Sequence, residues 1–418
     1  MSVPNVLPVR AVSVKNVAAQ DAAEQNVAAA EPIPFGSAAL DASVNLERLP
    51  TRIVALDVLR GITVALMILV NNGGDGSHTY WPLKHADWNG WTPTDLVFPT
   101  FVFLMGTAIV FSTEARLRRG DSRSSLLLHT VRRFAILFLL GIVVNGFPLF
   151  QLHTLRIYGV LQRIAICFLI GSILYLWDRR ASTKIVLAVT LLLGYWILLR
   201  WVPVPGLGIP GRDIPFMDKT ANLTSYIDRL IFPPSHLFLK VRDPEGLLSN
   251  LPAIASTLLG MLTGLWLRSR KSANTKAAGM LGAGILGIVL GQLWNIWFPI
   301  NKNLWTSSFV LLAAGWTLVA FALCYWAVEG KSKNHWWTVV PFVFGMNTIT
   351  AYVFSELLYG AIAAIRIGPK NSQQILYAKL FGWIYPHEIG SLLYAIAYVA
   401  VCCLPVYLLY RRKIFIKV

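Results

Sequence analysis

The chain has 418 residues, of which 56% are hydrophobic and only 14% are charged. Its mean hydropathy of +0.58 excludes an ordinary soluble domain, in which about 25% of the residues are charged. The net charge of +17 would suggest nucleic acid as a partner of a soluble protein, but in a membrane protein the basic residues first determine orientation. We therefore expect a polytopic protein whose partner is the lipid bilayer, with no nucleic acid.

Residues 1–46 are rich in alanine, valine, proline and small polar residues. Their apolar run at 27–30 is shorter than the roughly 7–15 residues of a signal-peptide core. We interpret this segment as a disordered cytoplasmic tail. A cleaved signal or transit segment is the alternative.

Ten apolar windows follow, each about as long as the ~20 residues that a helix needs to cross a bilayer. This pattern predicts an all-α polytopic fold with about ten transmembrane helices in one bundle over residues 47–418. The windows lie near residues 53–72, 95–113, 132–150, 157–177, 184–202, 251–267, 277–298, 305–328, 338–360 and 390–410.

The basic residues are distributed unevenly over the loops between these windows. Nineteen of the 37 lysines and arginines fall in one set of loops and the end of the chain, whereas the opposite loops hold eleven. Because cytoplasmic loops carry the excess of basic residues, we expect both termini in the cytoplasm. The rich loops are 114–133, 178–184, 268–276, 329–337 and the segment after 410. The long loop 202–250, whose Pro/Gly-rich start cannot be regular helix, is then extracytoplasmic.

Polar residues precede the second helix directly, in the stretch 82–106. His85 suits general-base chemistry, because a histidine is neutral near pH 7 and can still accept a proton. Asp87 or Asp95 could orient its ring, and Asn89 could contact a substrate. The alternative is a solvated loop histidine without a catalytic role.

The first helix carries polar groups at both ends. Asp57 and Arg60 are three residues apart, so they share a face and could form an ion pair or contact a substrate. At the other end, Asn71 precedes a glycine pair and could donate a hydrogen bond to a developing oxyanion.

Further polar residues fall within or beside the later helices, where they need partners or a ligand. The arginines among them suit phosphate groups, because a guanidinium donates two parallel hydrogen bonds. A purely structural role is the alternative for each. The set comprises Arg156, Gln162, Arg163, Asp243, Glu245, Asn301, Lys302, Asn347 and Glu356.

The four cysteines, Cys167, Cys324, Cys402 and Cys403, all fall in apolar windows, and core packing is their expected role. We predict no disulfide framework. The sequence contains no CxxC, HExxH or paired-histidine spacing, so we expect no metal site.

Eight short motifs together resemble the transmembrane domain of the heparan-α-glucosaminide N-acetyltransferase family and its bacterial relatives. They occur in the family's order and cover the chain from about residue 50 to 410. The motifs are LDVLRG at 56–61, VN at 70–71, KHADWNG at 84–90, DLVFP at 95–99, LRIYGVLQR at 155–163, DPEG at 243–246, NKNLW at 301–305 and GMN at 345–347.

This resemblance implies an acyltransferase that takes the acetyl group of cytoplasmic acetyl-CoA, its cosubstrate, to an amino sugar or glycan on the extracytoplasmic side. It implies His85 as the active histidine and Asn71 as the catalytic asparagine, with Asp87 and Asp95 beside them. It also implies a bacterial inner-membrane location and a possible homodimer. We expect no counterpart of the large lumenal domain of the lysosomal members.

Two ligand sets complete this hypothesis. Residues expected to bind the CoA moiety are Arg156, Gln162, Arg163, Asn301 and Lys302. Residues expected to bind the acceptor are Asp57, Arg60, Asn89, Asp243, Glu245, Asn347 and Glu356.

Three alternatives remain open at this point. Acetyl transfer could be direct or could pass through an acetyl-histidine. The protein could instead be a transporter or flippase for a saccharide or small solute, with Asp57, Arg60, Gln162 and Glu356 along its path. It could also be an O-acetyltransferase acting on glycan hydroxyls.

Overall fold

The computed structural model describes residues 52–329 and 336–416. The predicted tail at 1–46 and most of the loop 329–337 lie outside the described residues. The described chain is almost entirely helical, with one two-stranded hairpin. The prediction of an all-α polytopic fold is confirmed.

Within residues 52–329 and 336–416, nine helices are long and apolar enough to cross a membrane. The first five are α1 (Val54–Asn71), α2 (Val97–Arg118), α3 (Arg123–Gly146), α4 (Val160–Trp177) and α5 (Ala181–Trp201). After the short α6 (Leu223–Ile231) come α7 (Asn250–Leu267), α8 (Ala273–Trp294) and α9 (Ser307–Glu329). The last is α13 (His387–Arg411).

The predicted ninth span, 338–360, is not one continuous helix. It consists of α10 (Val339–Met346) and α11 (Thr348–Ala364), and the segments on either side of Asn347 are bent by 77°. Asn347 leaves the helical region, with φ −127° and ψ 46°. Its Nδ2 donates to the carbonyl of Ile414, and its Oδ1 accepts from the backbone N–H of Ile416. Asn347 therefore breaks the span and fixes the end of the chain, and its amide is not free for a substrate.

The loops carry short elements. The Pro/Gly-rich start of 202–250 forms turns with two isolated bridges, as predicted, and the loop then holds α6 and the 3₁₀ turns Pro234–His236 and Phe238–Lys240. Between α11 and α13 lie β1 (Arg366–Ile367), β2 (Lys370–Asn371) and α12 (Ser372–Leu380). The remaining 3₁₀ turns are Trp81–Leu83, Pro93–Leu96, Leu152–Thr154 and Trp336–Thr338.

Helices α2, α7 and α9 lie at the centre of the bundle, whereas α3, α5, α8 and α13 keep most of their apolar surface exposed, as helices in lipid do. Glycines bring α2 and α7 into backbone contact. A Cβ on Gly106 would lie 2.1 Å from the carbonyl oxygen of Thr257, and one on Gly260 would lie 1.9 Å from that of Phe103. This contact fixes α2, whose preceding turn carries Asp95.

Three loops meet at one end of the bundle. The indole N–H of Trp88 donates to the carbonyl of Met217, and the backbone N–H of Gly90 donates to that of Ile300 at 2.8 Å. Residues from loops 72–95, 202–250 and 299–304 therefore share one surface, as the alternation of the predicted helices requires.

Candidate active site

A histidine–aspartate pair lies at the start of α2. The turn Pro93–Leu96 begins with a capping box, in which the Asp95 Oδ2 accepts from the backbone N–H of Thr92 at 3.0 Å. The N–H of Ala86 donates to the same oxygen at 3.1 Å. Asp95 is only 1% exposed, and its Oδ1 lies 2.7 Å from the His85 Nδ1. A carboxylate only accepts hydrogen bonds, so Nδ1 carries the proton and Nε2 carries the lone pair of the neutral His85 ring.

Lys302 completes this cluster from the loop between α8 and α9. Its Nζ lies 3.4 Å from the Asp95 Oδ1, and 3.1 Å and 3.5 Å from the two ring nitrogens of His85. Burial lowers the pKa of Lys302, and the Asp95 and Glu245 carboxylates only partly offset this effect. The ammonium group compensates the buried charge of Asp95 and adds positive charge beside the reactive histidine.

A cavity of about 310 Å³ opens next to this cluster. Both Asn71 and His85 line it, and so do Gly76, Thr79 and Tyr80 from the segment between them. This volume lies at the lower end of the roughly 300–1,000 Å³ that is typical of small-molecule sites. The cavity can therefore admit a small ligand beside His85.

The two asparagines at the end of α1 have different environments. Asn71 is exposed to the cavity, and its Nδ2 donates to the Glu356 Oε1 at 3.4 Å. Asn72 is buried, and its Nδ2 donates to the carbonyl of Ile68. One N–H of Asn71 is thus oriented by Glu356, and the other has no partner within residues 52–329 and 336–416. Glu356 contacts the catalytic candidate rather than standing alone as an acceptor ligand.

The structure shows which of the two candidate aspartates orients His85. Asp95 forms the contact, whereas the side chain of Asp87 is exposed and has no hydrogen bond or ion pair within the described residues. Asn89 lies on the same loop, and its Oδ1 accepts from the Asn301 Nδ2 at 3.2 Å. Asn301 is fully buried, and its Oδ1 accepts from the backbone of its own loop. This pair holds two loops together, and both the nitrogen and the oxygen of the Asn301 amide have partners within the protein.

Arg156, Asp243 and Glu245, which were predicted to bind ligands, bind one another in this structure. The Arg156 Nε donates to Asp243 at 2.8 Å, and its Nη2 reaches both carboxylates. The pKa of Arg156 is raised, because these carboxylates outweigh the opposing effect of burial. The side chain of Asp243 is buried and needs this counter-charge. The roles of Arg156 as a phosphate ligand and of the two acids as acceptor ligands stay predictions, and the ion pairs give all three residues a structural role.

Gln162 and Arg163 are fully buried near the start of α4 and retain free polar atoms. The Arg163 Nη2 donates to the carbonyl of Pro244 at 2.8 Å and to the Ser249 hydroxyl. Its Nε and Nη1, and both amide atoms of Gln162, have no hydrogen-bond partner within the described residues. These four buried atoms would need a ligand or a water molecule to satisfy them, and the Arg163 guanidinium also lies over the Trp305 ring, 4.7 Å from its centroid.

Asp57 and Arg60 form the predicted ion pair, with 3.7 Å between the charged atoms. Arg60 also donates to the Thr348 hydroxyl at 2.9 Å, and Asp57 accepts from Arg52. The 14 residues from Asp57 to Asn71 span about 21 Å of helix at ~1.5 Å per residue. The pair lies too far from the cavity to contact an acceptor at His85.

The first turns of α13 form a wall of the cavity that the sequence did not indicate. Glu388 and Ser391 line it, together with Thr79 and Tyr80. Acidic residues are common in the first turn of any helix, because they interact favourably with its dipole. Glu388 therefore gave no distinguishing signal.

The segment after Asn71 is tied to this wall. The backbone N–H of Asp75 donates to the Ser391 hydroxyl at 3.0 Å. Hydrogen bonds from Ser77 and His78 lower the pKa of Asp75 to about 2. These contacts hold residues 75–78 beside the cavity, which Gly76 lines.

The described residues contain no group of three or more His, Cys, Asp or Glu side chains placed to hold a metal ion. The four cysteines are free thiols, and three of them are buried.

The sequence was compared with known families and proteins. Residues 52–293 match the family described as heparan-alpha-glucosaminide N-acetyltransferase, catalytic. Heparan-alpha-glucosaminide N-acetyltransferase of Homo sapiens is 31% identical over 90% of this chain and 61% of its own length, and that of Mus musculus is 30% identical over 88% and 60%. The chain thus spans about three fifths of the length of these relatives. The family match ends before Lys302, Glu356 and Glu388.

Proposed function

The chain belongs to the heparan-α-glucosaminide N-acetyltransferase family, and on that premise we propose that it transfers the acetyl group of acetyl-CoA to the amine of an amino sugar or glycan. The observation that carries this proposal is the shared cavity. One wall presents His85 with its Nδ1 bonded to buried Asp95, and another presents Asn71.

In this proposal His85 moves the proton. The acceptor nitrogen attacks the thioester carbon, and His85 Nε2 takes a proton from that nitrogen. The imidazolium is stabilised by Asp95 at 2.7 Å. When the carbon–sulfur bond breaks, His85 returns the proton to the CoA thiolate, so the products are an amide and a free thiol.

Asn71 is the proposed oxyanion donor. Its Nδ2 has one N–H directed to Glu356 and one free for the oxygen of the tetrahedral intermediate. A single donor of this kind contributes roughly 10²–10³ to kcat in other enzymes. Glu356 fixes the amide orientation, because a carboxylate accepts only from the NH₂ side of an asparagine.

The CoA moiety of the donor needs polar contacts of its own. Lys302 lies beside the cavity cluster, and the free atoms of Gln162 and Arg163 offer buried donors and one acceptor. We assign the polar CoA contacts to these three residues. We do not include Arg156 in this proposal, because its guanidinium already binds Asp243 and Glu245.

We further propose that the site faces the extracytoplasmic side of a bacterial inner membrane, with both termini in the cytoplasm. The basis is the excess of basic residues in the loops on the opposite side from His85. Acetyl-CoA would then reach the site from the cytoplasm through the bundle.

The test is an acceptor screen with radiolabelled acetyl-CoA on the purified protein. Transfer to glucosamine, with stoichiometric release of free thiol, supports the proposal. Transfer only to hydroxyl acceptors would assign an O-acetyltransferase instead. No transfer to any acceptor, together with no thermal stabilisation by millimolar CoA, would favour a transporter, because a ligand that binds only the folded state raises its apparent stability.

The two chemical routes are separated by intact mass. A two-step route predicts an added acetyl group on His85 after incubation with acetyl-CoA alone. An unchanged mass in a protein that turns over with acceptor supports direct transfer.

A further inference from the structure

The cavity wall formed by α13 carries a carboxylate that the proposed mechanism does not use. Glu388 lies in the first turn of α13 and lines the same cavity as His85 and Asn71. Its side chain is partly buried. Glu388 is the one carboxylate among the residues that line this cavity in the described chain.

The position of Glu388 is fixed by contacts on both sides of it. Three residues later, the Ser391 hydroxyl accepts from Asp75 N–H and donates to the Asp75 carbonyl at 3.1 Å. One residue earlier, the ring of His387 packs edge-on against His78, with 5.1 Å between centroids. The start of α13 is therefore bound to the segment that follows Asn71.

Glu388 forms no ion pair within the described residues, and Lys84 is the one cationic side chain that lines the cavity with it. Within residues 52–329 and 336–416, its carboxylate also has no hydrogen bond. The carboxylate of Asp75 nearby is occupied by Ser77 and His78. A partly enclosed carboxylate without a partner attracts a cationic ligand, because opposite charge at short range stabilises its ionised form.

We propose that Glu388 is a specificity-determining residue that binds the ammonium group of the acceptor and selects amines over hydroxyls. This inference rests on the proposed function of the same cavity. A sugar amine with a pKa near that of an α-amino group, about 8, is mostly protonated at neutral pH. A hydroxyl acceptor has no such charge and gains nothing from Glu388.

The proton balance follows from this assignment. The bound ammonium releases one proton to water and becomes the free amine. The amine nitrogen then forms the bond to the acetyl carbon, and its second proton passes through His85 to the departing CoA thiolate. One proton is released to solvent per acetyl group transferred.

The test compares the wild type with Glu388→Gln, which keeps the shape of the side chain and removes its charge. We expect the Kd and KM for glucosamine to rise about tenfold, with kcat changed less than threefold and the binding of glucose unaltered. The difference should shrink above pH 9, where the amine is neutral in solution. Glu388→Asp should restore most of the affinity.

Asp213→Asn is the matched control, because it removes one negative charge from an exposed ion pair in the 202–250 loop. Equal effects of Glu388→Gln on glucosamine and glucose, or no effect on glucosamine, would overturn the inference. So would a wild type that binds glucosamine no better than glucose. Binding is measured without acetyl-CoA, so charge-dependent glucosamine binding without acetyl transfer would reject the proposed function and keep the role of Glu388.

Discussion

Replacing Asp95 with asparagine tests how the dyad works. Asp95 accepts from His85 on one oxygen and from Ala86 and Thr92 on the other. The backbone donors will hold the amide oxygen of the variant, which places its NH₂ against the His85 Nδ1. Because an NH₂ group donates, Nδ1 must then accept, and the proton moves to Nε2. His85 is then left in the tautomer that is protonated on Nε2, which cannot act as the base.

The expected loss follows from the value of a positioned base, roughly 10²–10⁴-fold in rate, which corresponds to about 3–5 kcal/mol of transition-state stabilisation. We expect kcat for acetyl transfer to glucosamine to fall by about 10³, because Nε2 loses its free electron pair. CoA should still raise the melting temperature of the variant. The assay is label transfer from acetyl-CoA on purified protein.

Asp218→Asn is the control for this experiment, because Asp218 also accepts from two backbone N–H groups in a loop but contacts no histidine. It should retain wild-type kcat. A folded Asp95→Asn variant with activity within threefold of the wild type would refute the tautomer argument. It would show that His85 does not depend on Asp95.

Three further variants test other parts of the structure. In the same assay, Asn71→Ala should lower kcat by roughly 10²–10³-fold, and Glu356→Gln should lower it by about tenfold. Neither variant should change the KM for acetyl-CoA much, and a large change in KM alone would instead indicate a binding role. Arg156→Ala should lower the free energy of unfolding by about 3–5 kcal/mol, because it leaves the Asp243 carboxylate buried without its partner. Thermal melts measure this loss, and weaker CoA binding at unchanged stability would instead favour Arg156 as a phosphate ligand. Burial raises the pKa of Asp228 from 3.8 to about 6. The free energy of unfolding should therefore fall by roughly 3 kcal/mol as the pH rises from below 4 through 6, because the folded state must then ionise a buried carboxyl. Thermal melts of Asp228→Asn should lack this fall, and equal pH profiles for the variant and the wild type would contradict the argument.

The sequence predicted the number and places of the helices, because a spanning helix needs a long apolar run wherever it lies. It could not predict the break at Asn347. That break depends on hydrogen bonds to Ile414 and Ile416, which are far away in the chain. Local hydropathy does not report contacts between residues that are distant in the chain.

The sequence also did not show which charged residues pair with one another. The three residues Arg156, Asp243 and Glu245 were each recognised as polar groups in need of a partner, but only the fold shows that they satisfy one another. Asp57 and Arg60 were predicted correctly because their pairing is local, three residues apart on one helix.

The catalytic candidates were found through family motifs, whereas the opposite cavity wall was not. His85 and Asn71 stand in motifs of unusual polarity, but Glu388 looks like an ordinary helix start. Its proposed role follows from the packing of α13 against residues 73–79. Glu388 and His85 line one cavity only in the folded protein.

The most direct test of the central claim is the rate of acetyl transfer to glucosamine by His85→Ala, measured beside His153→Ala. His153 is an exposed loop histidine that does not line the cavity, so its variant should keep the wild-type rate. We predict a loss of roughly 10²–10⁴-fold for His85→Ala, with CoA still stabilising the folded protein. Equal rates for the two variants would contradict the assignment of the cavity as the site of transfer.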